Sequence, residues 1–547
     1  MPESGGAGTL VALIIFMAAS VWLGTLAQRV VERSSFVKGY FLGNRGLGAW
    51  AVALTATVQS GGTFMGFPSL VYSHGWVVAL WIAGYMVVPI TAFGIFGKRL
   101  AQLSRRTGAI TVPDLIRERF GSPTAGLTAS LLILFFMSAM MVAQFKAGAI
   151  VMQISWPGTE SLALSEDPEI ANQRAYLIGL TIFTLIVVGY TLIGGFLAAV
   201  WTDLFQSVMM LIGVVILLVL ALPPGGIEQA TRQAVDNLGP GGDAFALGPG
   251  YSKDGRQFLP VGLAFSFFFM WVFGGLGSPA GMVRVMACKN TESLRKSIYL
   301  LSIYNAFIYI PLVIICISAR VMMPALAKPD EVIPRMALRT TADLWGGSFV
   351  AGLILSAPFG AVMATVSTYL VVIASGLVRD IYQRFINPTA SERRIRWISY
   401  SMMVVVGLIA VGANINPVDY LQAIVVFSGT CAGATFVVPA FMAAFWRRAT
   451  AGGVMAAMLA GVTAVLGLYV AGWTWTWRGY DQGIGVAGTF RPYFLLGLDP
   501  IVWGLAVSLI AGIVGSIFTK PVDSERVSLF FDAQPAEYAQ SSSVSAS

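Results

Sequence analysis

Charge is what this sequence has least of. Charged side chains make up 11% of its 547 residues, against about 25% in a soluble domain. Apolar residues make up 56%. Such a chain cannot cover its apolar surface with polar groups in water, so a bilayer is the expected solvent. Histidine is nearly absent: His74 stands alone, in an expected outside loop. No His-Glu-x-x-His, paired intramembrane Asp or Walker motif occurs, so a membrane enzyme would lack its acid–base or metal groups. Cysteine is equally rare. Cys288, Cys316 and Cys431 have no metal-type spacing, and an odd count in apolar or cytoplasmic-side segments argues against a disulfide framework. They read as small buried residues. The net charge of +8 raises nucleic acid as a partner. The basic residues, however, sit in short loops between apolar runs, which removes that reading.

What is abundant fits helical membrane proteins. The 60 glycines allow close helix contacts and the 14 tryptophans supply interfacial anchors. A helix needs ~20 apolar residues to cross a bilayer. Runs of that kind fall at 8–28, 47–72, 76–97, 123–153, 174–192, 196–222, 258–283, 297–324, 346–377, 397–413, 418–446, 452–473 and 496–518. The expected fold is therefore all-α, a polytopic membrane protein of about thirteen helices. The split at Gly194-Gly195 divides the fifth run from the sixth. The first run has no Lys or Arg before it and has Arg29 and Arg33 after it, the reverse of a cleaved signal. With the N-terminus outside, 23 of 34 basic residues fall in inside segments, as the positive-inside rule asks. Lys146 and Arg320 lie within proposed spans. From Pro521 the chain turns polar and ends Ser-rich, so a disordered cytoplasmic tail is expected over 521–547.

Two helices carry breaks. The run 47–72 is interrupted at Ser60-Gly61-Gly62, and the run 258–283 at Gly274-Gly275-Leu276-Gly277-Ser278-Pro279. Each opens a set of five helices, 47–222 and 258–446, separated by the loop 223–257. Five is odd, so the second set must be inverted in the membrane. Residues 1–46 and 447–520 would flank this 5+5 core. Paired interrupted helices at corresponding positions are the sign of an inverted-repeat transporter with a midplane site. The plainer reading is that these glycines only permit close packing.

One stretch is more specific. Gly194-Gly195-Phe196-Leu197-Ala198-Ala199-Val200-Trp201-Thr202-Asp203 continues to Gln206 and Met210. With it stand Tyr40-Phe41-Leu42-Gly43-Asn44-Arg45, Met65-Gly66-Phe67-Pro68, Pro279 with Arg284, and Arg379-Asp380-Ile381-Tyr382. On these residues the chain resembles the solute:sodium symporter family over residues 8–520. Leu54-Thr55-Ala56-Thr57, Gly94-Ile95-Phe96-Gly97-Lys98 and Ser356-Ala357-Pro358 make it most similar to that family's sodium/pantothenate symporters. The resemblance implies a leucine-transporter-like fold and Na+ as the coupling ion.

The resemblance also implies a sodium site at Ala56 and Gln59 in the first broken helix and at Ala361, Ala364 and Thr365 in the ninth. Ala56, Gln59 and Ala361 would offer carbonyls and Thr365 its hydroxyl, hard oxygen donors suited to Na+. The family usually has serine where Ala364 stands, so one hydroxyl is missing. The alternative for Thr365 is a hydroxyl bonded back to its own helix. Asp203 is placed by resemblance on the cation exit route; otherwise it caps a helix start.

Lys146, after Gln144-Phe145 in an apolar helix, must pair, face a cavity or snorkel. Pairing with a solute anion, or standing in for a weakened cation site, are the two functional readings. Solute contacts are expected at the breaks: Gln59, Ser60, Gly61 and Gly62, facing Trp271, Phe273 and Gly274. Bare amides at half-helix ends favour anionic groups. Trp271 and Phe273 would close on an apolar body, or else serve only in packing. The second broken helix is poor in polar side chains, which leans towards an amino acid or organic acid rather than a sugar.

The expected function is sodium-coupled import of a small polar or anionic solute by alternating access, in a bacterial inner membrane, with the C-terminus cytoplasmic. The partners are the solute, sodium and lipid. A sodium-independent or proton-coupled carrier of the same fold is the competitor, and a membrane solute sensor a remoter one; the short tail argues against a fused signalling kinase.

Overall fold

The structure, a computed structural model, describes residues 5–31, 47–56, 60–156, 167–251, 258–417, 421–485, 488 and 490–532. The Tyr40–Arg45 motif and Gln59 lie outside the described residues. Among those described, every regular element is a helix, and an isolated β-bridge joins Leu47 to Cys288.

Among the described residues, ten helices are long and apolar enough to cross a bilayer, and a bent pair adds an eleventh crossing. The first expected span is α1 (Ala7–Val31). In the second, α2 is described over Ala49–Ala56, and after Ser60 and Gly61 a π segment spans Gly62–Gly66 and α3 (Phe67–His74) completes it. The third is also irregular, with α4 (Ala79–Val88), a π segment over Pro89–Gly97 and α5 (Lys98–Thr107). A short helix α6 (Val112–Phe120) precedes α7 (Pro123–Ser155), each capped at its start by a side-chain oxygen, from Thr111 and Ser122.

Helical turns then run from Pro168 to Ala221 without interruption (α8), where two spans divided at Gly194-Gly195 are expected. At 1.5 Å per residue such an element is roughly 80 Å long, far more than a ~30 Å hydrocarbon core. Its packing shows what happens. Against α14 (Gly347–Ser375), Phe183 meets Phe359 and Tyr190 bonds the Met363 carbonyl. Further on, Gln206 lies against Gly360 and Gly213 against Ile354 and Ala357. The order reverses, so the two halves are antiparallel and the chain doubles back between them. Glu169–Leu192 and Ala199–Ala221 are each long enough to span.

The remaining helices are α9 (Gly226–Leu238), α10 (Val261–Leu276), α11 (Pro279–Met286), α12 (Thr291–Met322), α13 (Val332–Thr341), then α14, α15 (Glu392–Ala413), α16 (Leu421–Phe445), α17 (Ala451–Trp477), α18 (Pro500–Phe518) and α19 (Ser524–Phe531). The pair α10 and α11 bends by 43° at Gly277-Ser278. The break thus lies three residues beyond Gly274, which is still helical. The expected tail disorder fails over its first part: α19 is a helix packed on α5 and α6. Its aromatic pair, Phe530-Phe531, finds cationic partners there. Residues 533–547 lie outside the described residues.

Glycine lets the broken helix approach α16. Gly274 faces the Gly429 backbone, and a Cβ on Gly277 would lie 2.8 Å from the Ala432 carbonyl oxygen and 2.9 Å from Gly433 Cα. Backbone cannot move aside as a side chain does. Gly277→Ala should therefore destabilise the protein by about 1–3 kcal/mol through overpacking, read as a lower melting temperature in detergent. A melt like the parent's would show that this contact is not tight.

Candidate functional site

An unwound helix inside a membrane must find partners for its freed backbone groups. At the first break the side chains supply them. The Ser60 N–H donates to Thr63 Oγ1 (3.3 Å), the Gly61 N–H to Gln144 Oε1 (2.8 Å) and the Gly62 N–H to Ser60 Oγ (3.1 Å). The Ser60 carbonyl starts the second half by accepting from Thr63 and Phe64. These amides are not bare, so the expected anion site at the half-helix end is already taken by neutral oxygens. At the second break Ser278 acts as N-cap, its hydroxyl accepting from the Gly281 N–H at 3.5 Å.

Both breaks face one cavity of about 150 Å³. Ser60, Gly62 and Thr63 line one side; Trp271, Gly274 and Ser278 line another. Gln422 and Ser428 of α16 and Tyr85, Tyr309 and Tyr369 complete the polar part. The hydroxyls of Thr63 and Tyr309 lie 3.1 Å apart, and the Tyr85 ring packs on Trp271 and Tyr309. The lining includes no Asp, Glu, Lys, Arg or His. Three of the expected contact residues fall elsewhere. Gly61 is turned to Ala147 and Gln144, Phe273 stacks on Phe269, and Lys146 is not on the lining.

The cavity is lopsided. It extends past Phe93, Phe96, Gly97, Leu100 and Val285 towards the face that carries Lys98, Arg99, Arg105 and Arg106, here called the basic face. On the opposite side Pro329–Glu331 packs on α3 and on the π segment Gly62–Gly66. The Tyr72 hydroxyl donates to the Met323 carbonyl and accepts from the Leu326 N–H. The Arg320 guanidinium lies over the Tyr72 ring at 5.0 Å.

Of the expected sodium ligands, Ala361, Ala364 and Thr365 are buried on α14. The Thr365 hydroxyl donates to the Ala361 carbonyl at 2.9 Å. Two candidate ligands are therefore adjacent and bonded to each other. The break reaches this helix: a Cβ on Gly61 would lie 3.3 Å from Val362. Ala56 is the last described residue of α2. The donor set is all oxygen, as a hard monovalent cation requires. Ser367 bonds the Ala364 carbonyl (3.0 Å) and does not replace the missing hydroxyl.

Two buried ion pairs bracket the site. Arg284, counted among loop cations by sequence, is 1% exposed and donates to Asp203 Oδ2 at 2.5 Å. Thr368, one turn beyond Thr365, bonds both. Asp203 is thus the counterion of an internal arginine, since neither charge could be buried alone. Lys146 lies towards the opposite face, and its Nζ meets Asp330 Oδ2 at 3.2 Å. In this structure the anion beside the lysine is a protein carboxylate. Asp330 also accepts from the Leu421 N–H at 3.4 Å, so the pair joins α7, the Pro329–Glu331 turn and α16.

Asp330 and Gln144 are the functional residues that sequence reasoning missed. Gln144 carried a signal, a buried amide in an apolar helix near a break. Asp330 carried none, being one acid among several in a long loop.

The profile of the sodium:solute symporter family matches residues 40–461. Sodium/pantothenate symporters from Haemophilus influenzae and Escherichia coli K12 are each 28% identical, over 85% and 94% of this chain and 90% and 97% of their own lengths. An osmoregulated proline transporter of Bacillus subtilis is 25% identical over 93% of this chain and 95% of its own. Among solved structures, a substrate-bound, outward-open Na+-coupled sialic acid symporter superposes with a TM-score of 0.70 at 19% identity, over 95% of this chain and 99% of its own. That likeness shows the shared fold.

Breaking a buried pair leaves one charge alone, at a cost of about 3–5 kcal/mol, while replacing both by apolar groups is close to neutral. Lys146→Ala and Asp330→Ala should each lower the melting temperature sharply, and Lys146→Met with Asp330→Leu should recover most of the loss. Single variants that melt like the parent would mean that the pair is solvated.

Proposed function

The chain belongs to the sodium:solute symporter family, and from that premise we propose that it imports a small organic acid or amino acid of the pantothenate or proline kind. It is a sodium-coupled symporter and a multi-pass membrane protein, with Na+ as its coupling ion. What remains to be argued is the solute, the residues and the direction.

The observation that carries the solute class is the uncharged cavity. Its lining offers hydroxyls, one amide and aromatic faces, with no cationic side chain. A carboxylate entering such a site lacks a counterion among the lining groups. A sodium ion between the first break and α14 would supply that charge. Sodium would then strengthen solute binding, and by linkage solute would strengthen sodium binding equally. The apolar body of the solute would meet Trp271 and Tyr85. That the relatives are pantothenate and proline transporters agrees with a solute of this size and polarity.

Sodium is assigned to the carbonyls of Ala56, Gln59 and Ala361 and the hydroxyl of Thr365, with Ala364 leaving that side of the site apolar. Solute contacts are assigned to Ser60, Gly62, Trp271 and Gly274, with Thr63, Tyr309 and Gln422 added. Gly61 is a backbone element of the break, held by Gln144. Asp203 keeps its place on the basic side of the sodium site, one turn beyond Thr365 through Thr368. The Lys146–Asp330 pair is read as a closure of the opposite side.

Orientation follows from charge. Short loops of the basic face would lie in the cytoplasm of a bacterial cell, with the N-terminus outside and the C-terminus inside. The cavity then opens inward, the state after release in an alternating-access cycle.

Proteoliposomes test this. Uptake of labelled pantothenate or proline should rise with an inward sodium gradient at fixed pH. Thr365→Ala should raise the half-saturating sodium concentration about tenfold, the weight of one lost charge-assisted contact, and Ala364→Ser should lower it. Uptake indifferent to sodium, or a Thr365→Ala variant with unchanged sodium dependence, would contradict the assignment.

A further inference from the structure

The C-terminal helix α19 is bound more heavily than its length requires. Eight residues cannot hold a helix alone in water, so its order comes from what it touches. Phe530 is fully buried. Its carbonyl accepts from Arg99 Nη2 at 2.7 Å, while Arg99 Nε donates to the Ala444 carbonyl at the end of α16 at 3.1 Å. One guanidinium thus ties α5, α16 and the tail together.

A second arginine repeats the device. Arg119 of α6 is fully buried, and its Nη2 donates at 3.2 Å to the carbonyls of Trp446 and Arg447. Its Nε and Nη1 find no hydrogen-bond acceptor. What they meet instead are rings: Phe120 and Phe531 at 5.0 Å and Phe530 at 5.7 Å. Desolvated cations gain most from such faces. Arg447 joins the cluster at 5.5 Å from Phe531 and bonds Asp532 at 2.7 Å. Arg526 reaches the Glu118 carbonyl at 3.3 Å. Only the α19 side of these contacts, residues 524–532, lies beyond residue 461, where the family profile ends.

The place matters more than the number of bonds. Phe96, Gly97 and Leu100 line the cavity where it nears the basic face, and Arg99 sits among them. Widening that mouth requires α5 to move from α16, which breaks the Arg99 bridge. We infer that α19 is a strap across the basic-face mouth, and that its undocking, which melts the helix, lets the mouth widen for release. The strap has two states because its helicity depends on docking. This inference rests on the reading that the cavity is the transport path.

A cysteine at Val285, in a Cys288→Ser background, reports on the mouth; a cysteine at Ser73 reports on the opposite side. Each is labelled with a membrane-impermeant maleimide in vesicles exposing the relevant face. Phe530→Ala with Phe531→Ala should raise the labelling rate at position 285 about tenfold, the weight of the lost ring contacts, and leave position 73 unchanged. Phe531→Ala alone, at a less buried ring, should raise it about threefold and serves if the double variant fails to fold. No rise in the folded single variant, or an equal rise at both reporters, overturns the strap. Sodium-driven uptake by the parent is measured in the same vesicles. If it is absent, the transport reading fails while the labelling difference still stands.

Discussion

Everything in this fold depends on one constraint: within hydrocarbon, a backbone group that leaves a helix must be received by another part of the protein. A break can therefore exist only where receivers converge. At the first break these are Ser60, Thr63 and Gln144, and at the second Ser278. Because Gln144 belongs to α7, the break is fastened to a different helix from its own. Three of the residues that make unwinding tolerable, Ser60, Thr63 and Ser278, also line the cavity. Site and scaffold are one arrangement.

Charge obeys the same rule. The internal cations described here have protein partners: Arg284 with Asp203, Lys146 with Asp330, Arg119 with carbonyls and rings. None of them lines the cavity. The interior charge is spent on joining elements, on the basic side through Asp203 and on the opposite side through Asp330. Pairs of this kind are strong when made and costly when broken, which suits contacts that define two discrete arrangements. The cavity between them stays neutral, so an arriving ion changes its electrostatics most.

Much of this was legible in the sequence, and for identifiable reasons. Span positions follow from apolar run lengths. The breaks follow from Gly-Gly pairs in otherwise apolar helices, and the family from the stretch ending in Asp203. What was not legible depends on distance in space. Lys146 could be seen to need a partner, but nothing in a loop of mixed polarity marks Asp330. Arg284 looks like a loop cation until Asp203 is brought beside it. Phe273 alternates off the lining face, since ~100° of rotation separates neighbours on a helix. The tail misled by composition: a polar segment reads as disordered, yet two adjacent phenylalanines suffice to dock it once three arginines lie in reach.

The central claim is that sodium and solute occupy neighbouring parts of one break-lined site and strengthen each other there. Equilibrium binding to purified protein tests it without a membrane gradient. Solute affinity is measured at low and saturating sodium, and sodium affinity with and without solute. The account predicts that each ligand tightens the other by the same factor, well above one. Solute binding indifferent to sodium, in a protein that still binds solute, would contradict it.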